Sequence, residues 1–487
     1  MPAYPGFVGV ANALHSPMAD AEQLVNLYLA PTQSAGAPTE AALWPTPGQT
    51  AFAQTTDVET RAAFTTGTRA FVVVGPGFWE LFTDSSPIRR GTLAVDTYPA
   101  TISYNGVEGG QLLVTSGSNG YLYDLTTNDL SAITALVGKA TMGGAKDGFF
   151  LAFDIRTSTV WLSDLLDGAT WDPTQFFRRS LAPDPWRAMV VSNPEIWLIG
   201  EVTGEAWYNS GAFPQPFAPI AGAFFNYGTR APFSVRLSGD TLLWLANTSD
   251  GPGRIVSATG YQPRPISSSA VDTAIAGYIR AQRAEDCETL VYQEDGHTFA
   301  CFSFPSANAT WAVDLETGAW HQRGTWNTVE HRYDVWTPRV HMHAFGKHLV
   351  GDRGTGQISS VDLTHGYEAN GALIRRLRTG PTVWARQNRR MVVSRLELMM
   401  DTGLGLANGV GSAPVAMLRS SFDTRTWTAQ TQRATGAIGT YGTRVVWTRL
   451  GSTPKAWFPE ITMADPVPYR IAGCEIEGTG LVLAAAS

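Results

Sequence analysis

The chain has 487 residues, a formal net charge of −7 and only 16% charged residues, set against 49 glycines and 16 tryptophans. Such a length can bury a large core and is expected to hold two or three domains. The negative balance argues against a protein that grips nucleic acid by bulk positive charge, though not against a mildly negative passage. Many glycines and aromatics with few charges fit tight turns and aromatic-rich sheets, and long amphipathic helices are scarce.

Residues 1–60 read as a Pro- and Ala-rich arm with one strand-like segment, Val25-Asn26-Leu27-Tyr28-Leu29, and a rigid turn, Pro45-Thr46-Pro47-Gly48. This arm is expected to be ordered by docking elsewhere. From Arg61 a unit begins to repeat. Outgoing strands are expected near Phe71, Leu112, Phe149, Ile196, Leu242, Phe299 and His348, and return strands near Trp79, Tyr121, Trp161, Trp207, Ile255, Trp311 and Ile358. Successive return positions lie 42, 40, 46, 48, 56 and 47 residues apart. Strand-built periods of roughly 40–50 residues point to a β-propeller over residues 61–365, of about seven blades with six or eight allowed. An irregular pair of β-sandwiches is the competing arrangement.

The clearest unit runs from Ser192 to Asn209: Ile196-Trp197-Leu198-Ile199, a loop from Gly200 to Gly204, then Ala206-Trp207-Tyr208. A run apolar on both faces should be covered on both sides, as happens when blades stack around an axis. Asp124-Leu125-Thr126-Thr127-Asn128, Asp314-Leu315-Glu316-Thr317-Gly318 and Asp362-Leu363-Thr364-His365-Gly366 each follow a return strand. Asp opening a turn and Gly or Asn at a left-handed position is hairpin chemistry. Pro183 to Trp186 and Pro214 to Pro219 mark connections between blades. Ser268 to Arg283 is the one amphipathic helix, Ser-capped with Val271, Ile275 and Ile279 at helical spacing, and is expected on the propeller rim.

After Gly366 the texture changes. Arg375, Arg376, Arg378, Arg386, Arg389, Arg390 and Arg395 crowd one segment, a Gly-rich loop spans Thr402 to Ala416, and strands resume from Met417. Residues 366–487 are therefore expected to form a C-terminal β-sandwich, a platform domain of ordinary size. Arg375, Arg376, Arg378, Arg386, Arg389 and Arg390 are candidates for a surface that meets DNA in a channel or an acidic patch on a neighbouring ring. The competing reading is a solvated sheet face with salt bridges such as Arg395 with Glu397.

Seven of the eight histidines fall between His297 and His365, and His341 and His343 share a strand face, where they could jointly ligate a metal. No acidic third ligand stands at a convincing spacing, so a structural role is preferred, and no cofactor is expected. Cys287, Cys301 and Cys474 are too scattered for a disulfide framework or a zinc site. If Asp295-Gly296 makes the hairpin turn, Cys301 faces Leu290, which points to folding in a reducing cytoplasm. The N-terminus has neither a charged leader nor a long apolar run, so neither export by an obvious signal nor embedding in a membrane is expected. Asp167-Gly168-Ala169-Thr170-Trp171 and Asp423-Thr424-Arg425-Thr426-Trp427 only approach the Asp-box turns of propeller glycosidases, and no P-loop, Gly-x-Ser-x-Gly or His-Glu-x-x-His is present. An enzyme is not expected.

Three patches resemble the tail-hub proteins of short-tailed bacteriophages, also called nozzle or packaged-DNA-stabilisation proteins. The first is Val25-Asn26-Leu27-Tyr28 with Pro45-Thr46-Pro47-Gly48. The second is Gly296-His297 to Phe302, followed by Pro305, Thr310-Trp311, Asp314, Gly318, Trp320-His321 and Arg323. The most specific is Gly436 to Glu477, with Gly439, Tyr441, Arg444-Val445, Trp447, Arg449-Leu450-Gly451, Phe458, Asp465-Pro466-Val467-Pro468 and Ile471. The resemblance is nearly end to end. It implies a structural virion protein, folded in the host cytoplasm and carried in the tail as a six-fold ring beneath the portal and its adaptor. Such a ring continues the DNA channel, retains packaged double-stranded DNA and carries the tail needle or plug and the fibres or tailspikes, with no catalytic residues. The alternative is a propeller module that binds carbohydrate or protein or, less favoured, hydrolyses a glycan.

Overall fold

The computed structural model describes residues 2–13, 21–32, 39–178, 183–212, 215–249, 251–386, 389–453 and 455–483. Among the described residues, short apolar runs bounded by Gly, Asp and Asn turns pair into seven four-stranded antiparallel units, six of them from sequence neighbours: blade 1 over 60–92, blade 2 over 101–132, blade 3 over 142–178, blade 4 over 186–225, blade 5 over 236–265 and blade 6 over 288–323. Blade 1 is Thr60–Thr65, Ala70–Val74, Gly77–Leu81 and Pro87–Thr92, and its two middle strands are buried along their whole length. All seven expected outgoing positions fall in second strands and all seven return positions in third strands. In blade 4, Ile196 pairs with Trp207 and Ile199 with Gly204, and Ile196 to Ile199 are all buried, as a run apolar on both faces requires. Pro214, expected to mark a connection, lies outside the described residues.

Turn chemistry sets the registers. Asp295 and Gly296 take φ of 47° and 80°, closing a two-residue hairpin that pairs Leu290 with Cys301. Asp124 accepts from the backbone N–H of Thr126 and Thr127, with Asn128 at φ 59°. Asp314 accepts from Glu316, with Gly318 at φ 71°. The side chain thus mimics a backbone turn while Asn or Gly takes the left-handed position.

The ring closes with strands from both ends of the propeller. Blade 7 contains Pro338–Ala344, Lys347–Asp352 and Gln357–Asp362, and its fourth strand is Gly48–Gln54. This segment, expected in an N-terminal arm, therefore belongs to the ring. Gly48 is required by close approach: a Cβ there would lie 2.2 Å from the His365 carbonyl oxygen.

The C-terminal unit is a two-sheet sandwich that also takes in the N-terminus. One sheet orders Val445–Thr453, Met391–Met400, Ile471–Thr479, Ala41–Pro45 and Leu27–Pro31. In the other, the fully buried strand Ala456–Met463 lies between Arg376–Thr379 and Val415–Ser421. Leu24–Val25 joins the two domains, pairing parallel with Gln322 of blade 6 and antiparallel with Leu377 and Arg378. Hydrogen bonding consequently runs from propeller to sandwich without a break. The helix, Ser269–Arg280, is capped by Ser268, whose hydroxyl accepts from Val271 N–H. It does not decorate the rim: Val271 and Ile275 are buried in one core shared by blade 5, blade 6 and the sandwich.

Candidate functional site

The junction of the two domains gathers many of the motif residues. Asn26 sits at φ 55° and donates through Nδ2 to the carbonyls of Gly324 (2.8 Å) and Arg375 (2.9 Å) while Oδ1 accepts from Gly324 N–H (3.0 Å). Asn suits this place because it tolerates the left-handed region and carries both a donor and an acceptor. Tyr28 is buried edge-on against Phe299, with ring centroids 5.1 Å apart, and His297 Nδ1 lies 2.8 Å from Asp314. Arg323 donates to the Tyr292 hydroxyl and the Pro47 carbonyl and lies 3.9 Å from the Trp336 ring centroid. Trp320 donates to the Ile266 carbonyl and Trp311 to the Tyr278 hydroxyl. Burial, reinforced by the Arg323 charge, pushes the His321 imidazole down to about 3, so it is neutral at cellular pH.

Two of the candidate arginines are internal. Arg378 is wholly buried and donates to the carbonyls of Phe7 (2.7 Å), Gly6 (2.7 Å), Val10 (3.2 Å) and Gln23 (3.4 Å) and to Glu22 (2.9 Å). Arg376 is also buried, donates to the carbonyls of Ile374 and Asp465, and is pushed down to about 10 by burial. The expectation of a contact surface at Arg376 and Arg378 is corrected: both guanidinia are buried and spent on backbone carbonyls, Arg378 on those of the N-terminal segment and Arg376 on Ile374 and on Asp465, which also accepts from Val467 N–H. Pro466 packs so tightly on Gly366 that a Cβ there would stand 2.4 Å from the Pro466 Cα, while Pro468 is half-buried. Arg375 is half-buried over the Trp326 ring at 4.0 Å. Arg386, Arg389 and Arg390 are exposed on the sandwich, where Arg390 donates to the Ser452 hydroxyl.

The sandwich motif divides in the same way. Trp447 is buried and donates to the Thr431 carbonyl. Arg444 forks onto both oxygens of Glu397, which Arg395 also meets, and this holds the Glu397 carboxyl below its usual range. Tyr441 is 72% exposed and shares a loop cluster with Ile438, itself 63% exposed, so it presents apolar surface rather than building the core. His341 and His348 are hydrogen-bonded at 3.0 Å, and His343 faces His348 across the strands. Burial, then the neighbouring His348, Arg236 and His343, push His341 down to about 3. Among the described residues, no cluster of three or more His, Cys, Asp or Glu side chains is arranged to hold a metal.

Sequence reasoning did not find the charges around the propeller axis. Buried Arg61 meets Asp96, Ser116 and the Tyr98 carbonyl, and Arg339 bridges Glu288 and Glu59. Their partners lie in other blades or in connecting loops, and no local period records that. At one mouth of the axis is a cavity of about 660 Å³ lined by Tyr98, Phe233, Arg187, Arg230, Glu201 and Asp286, among others. Glu201 is paired with Arg187 and Arg230, Glu288 with Arg339 and Arg353, and Asp286 accepts from Ser306 N–H.

Comparison with known proteins finds two family models, described as the β-propeller of bacteriophage P22 Gp10, over residues 20–366, and the β-sandwich of bacteriophage P22 Gp10, over residues 378–479. No curated protein sequence matches. Among solved structures, the N-terminal domain of Nup159 is 10% identical with a TM-score of 0.37, over 65% of this chain and 94% of that one. PorZ of Porphyromonas gingivalis is 12% identical with a TM-score of 0.38, over 80% of this chain and 46% of its own. An exo-β-1,3-galactanase from Phanerochaete chrysosporium is 8% identical with a TM-score of 0.29, over 88% and 99%.

Proposed function

Because the chain belongs to the bacteriophage P22 Gp10 family of phage structural proteins, we propose that it is the hub, or nozzle, of a short phage tail. In this reading copies of the chain form a ring, of six by the family resemblance, which extends the DNA channel below the portal and adaptor. The ring retains packaged double-stranded DNA and anchors the needle or plug and the fibres or tailspikes. The chain folds in the host cytoplasm and acts in the virion. Its three cysteines are buried and free, as suits a reducing compartment, and no helix among the described residues is long and apolar enough to cross a membrane.

The observation that carries the proposal is the continuous hydrogen bonding from blade 6 through Leu24–Val25 into the sandwich. It ties the two domains into one block, which suits the subunit of a closed ring. Tyr98 and Phe233 meet over the propeller axis with centroids 5.8 Å apart, so a duplex cannot thread the propeller itself. The lumen must then lie between copies. Arg386, Arg389 and Arg390 remain candidates for contact with the adaptor, a neighbouring copy or passing DNA, beside the exposed Tyr441 loop. Charge reversal of these three arginines is expected to reduce tail assembly without changing the melting of the isolated chain. Full assembly by the triple variant would remove them from the interface.

One observation favours a second reading. Aromatic Tyr98 and Phe233 stand beside carboxylates at one propeller mouth, an arrangement suited to binding a saccharide. Of the carboxylates at this mouth, Glu201 and Glu288 are paired with arginines and Asp286 Oδ2 accepts from Ser306 N–H, while Asp286 Oδ1 has no partner among the described residues. Retention of the chain on immobilised host-surface polysaccharide, lost in Tyr98→Ala, would support this reading.

A further inference from the structure

The propeller axis holds a pocket with one unanswered positive charge. The innermost strands of the seven blades surround a cavity of about 600 Å³ that reaches Phe64, Tyr104, Ala145 and Val191 at one end and Phe233 at the other. Tyr98 precedes blade 2 and Phe233 precedes blade 5, so the two rings come from well-separated positions around the axis and their contact divides this pocket from the outer mouth. Four charged residues line the pocket: Arg61, Arg236, Arg339 and Glu288. Arg61 is satisfied by Asp96, Ser116 and the Gly75 and Tyr98 carbonyls, and Arg339 by Glu288 and Glu59. Arg236 has no hydrogen bond or ion pair among the described residues, and burial alone lowers its proton affinity. The side chain is nevertheless solvent-accessible; lining the pocket as it does, it turns that surface toward the axis.

We propose that this axial pocket binds a small oxyanion, a phosphate or a carboxylate, on the two-pronged face of the Arg236 guanidinium. Arg61 and Arg339 are answered by Asp96, Glu59 and Glu288, so Arg236 is the positive charge left over in this pocket of a chain whose net charge is −7. A guanidinium without a carboxylate partner attracts an anion to the pocket it lines. The fork matches two oxygens of one phosphate or carboxylate. Each innermost strand is hydrogen-bonded to its sheet on one side only. Its other edge carries backbone N–H and C=O groups in alternation. The walls are otherwise mostly short or apolar, including Ala62, Ala63, Gly143, Gly144 and Val340, and leave the centre of the pocket free. This site does not depend on the tail-hub role.

The test is calorimetric titration of the full chain with inorganic phosphate and, separately, acetate, at ionic strength held constant with chloride. Saturable binding of either anion is expected in the wild type, with at least about tenfold weaker affinity in Arg236→Gln and no change in Arg230→Gln at the outer mouth. Acetate and phosphate separate the two chemistries. Binding of neither anion, or equal binding by Arg236→Gln, overturns the proposal. If Arg236→Gln does not fold, Arg236→Lys decides: it keeps the charge without the fork, and affinity equal to wild type would refute two-pronged recognition.

Discussion

Glu368 makes the stability of the propeller–sandwich junction depend on pH. It is buried in the turn after blade 7, where Oε2 accepts from Gln49 Nε2 at 3.0 Å. Burial raises its carboxyl from 4.5 to about 7, with Asp352 adding to the rise and Arg323, Gln49 and Arg376 opposing it. The folded-state value lies above the unfolded one. The stabilisation from keeping Glu368 protonated is therefore complete below about pH 4.5 and is lost as pH rises through about 7. A rise of this size corresponds to about 3 kcal/mol between the two plateaus. Glu368→Gln keeps an amide able to pair with Gln49 and cannot ionise. In urea unfolding at pH 5, 6, 7 and 8, the variant is expected to gain on the wild type as pH rises, by up to about 3 kcal/mol at pH 8. A wild-type-minus-variant difference that stays constant across this range would refute the reasoning, because it would show that Glu368 ionises without hindrance.

Two further substitutions test the junction. Arg378→Ala removes one donor from Glu22 and from the carbonyls of Gly6, Phe7, Val10 and Gln23, the last of which keeps the Thr379 N–H, and should cost about 3–5 kcal/mol. Limited proteolysis should then cut the N-terminal segment faster than the propeller, whereas an unchanged digest would show that the segment is held by other contacts. Asn26→Ala loses three hydrogen bonds and forces a Cβ-bearing residue without a local partner into φ 55°, at about 3 kcal/mol by urea unfolding. Asn26→Gly should recover about 1 kcal/mol of this, and no recovery would assign the whole cost to the side-chain bonds.

The propeller was legible because its signals are local. The Ile196–Ile199 run, the Trp and Tyr return strands and the Asp-opened turns each lie within one hairpin, and the register that places Cys301 opposite Leu290 follows from the Asp295-Gly296 turn alone. What escaped is long-range. Gly48–Gln54 closes a blade some 300 residues away, and only an unpaired edge in the folded ring shows that a fourth strand is needed there. Likewise Arg376 and Arg378 look like surface charge in sequence, because nothing near them reveals the carbonyls of residues 6, 7, 10 and 23 that gather round Arg378. Arg386, Arg389 and Arg390, by contrast, are exposed as their dense charge suggests. The helix period of Ser268 to Arg283 was correct, but its location was not, since an apolar stripe does not say which core it faces.

The position of the chain in a virion is the central claim, and immunogold labelling of phage particles with antibody raised against this chain tests it most directly. Label confined to a single vertex, at the short tail, is the expected result. Particles without label, with the protein found free or on cells instead, would contradict the tail-hub account and favour a binding propeller.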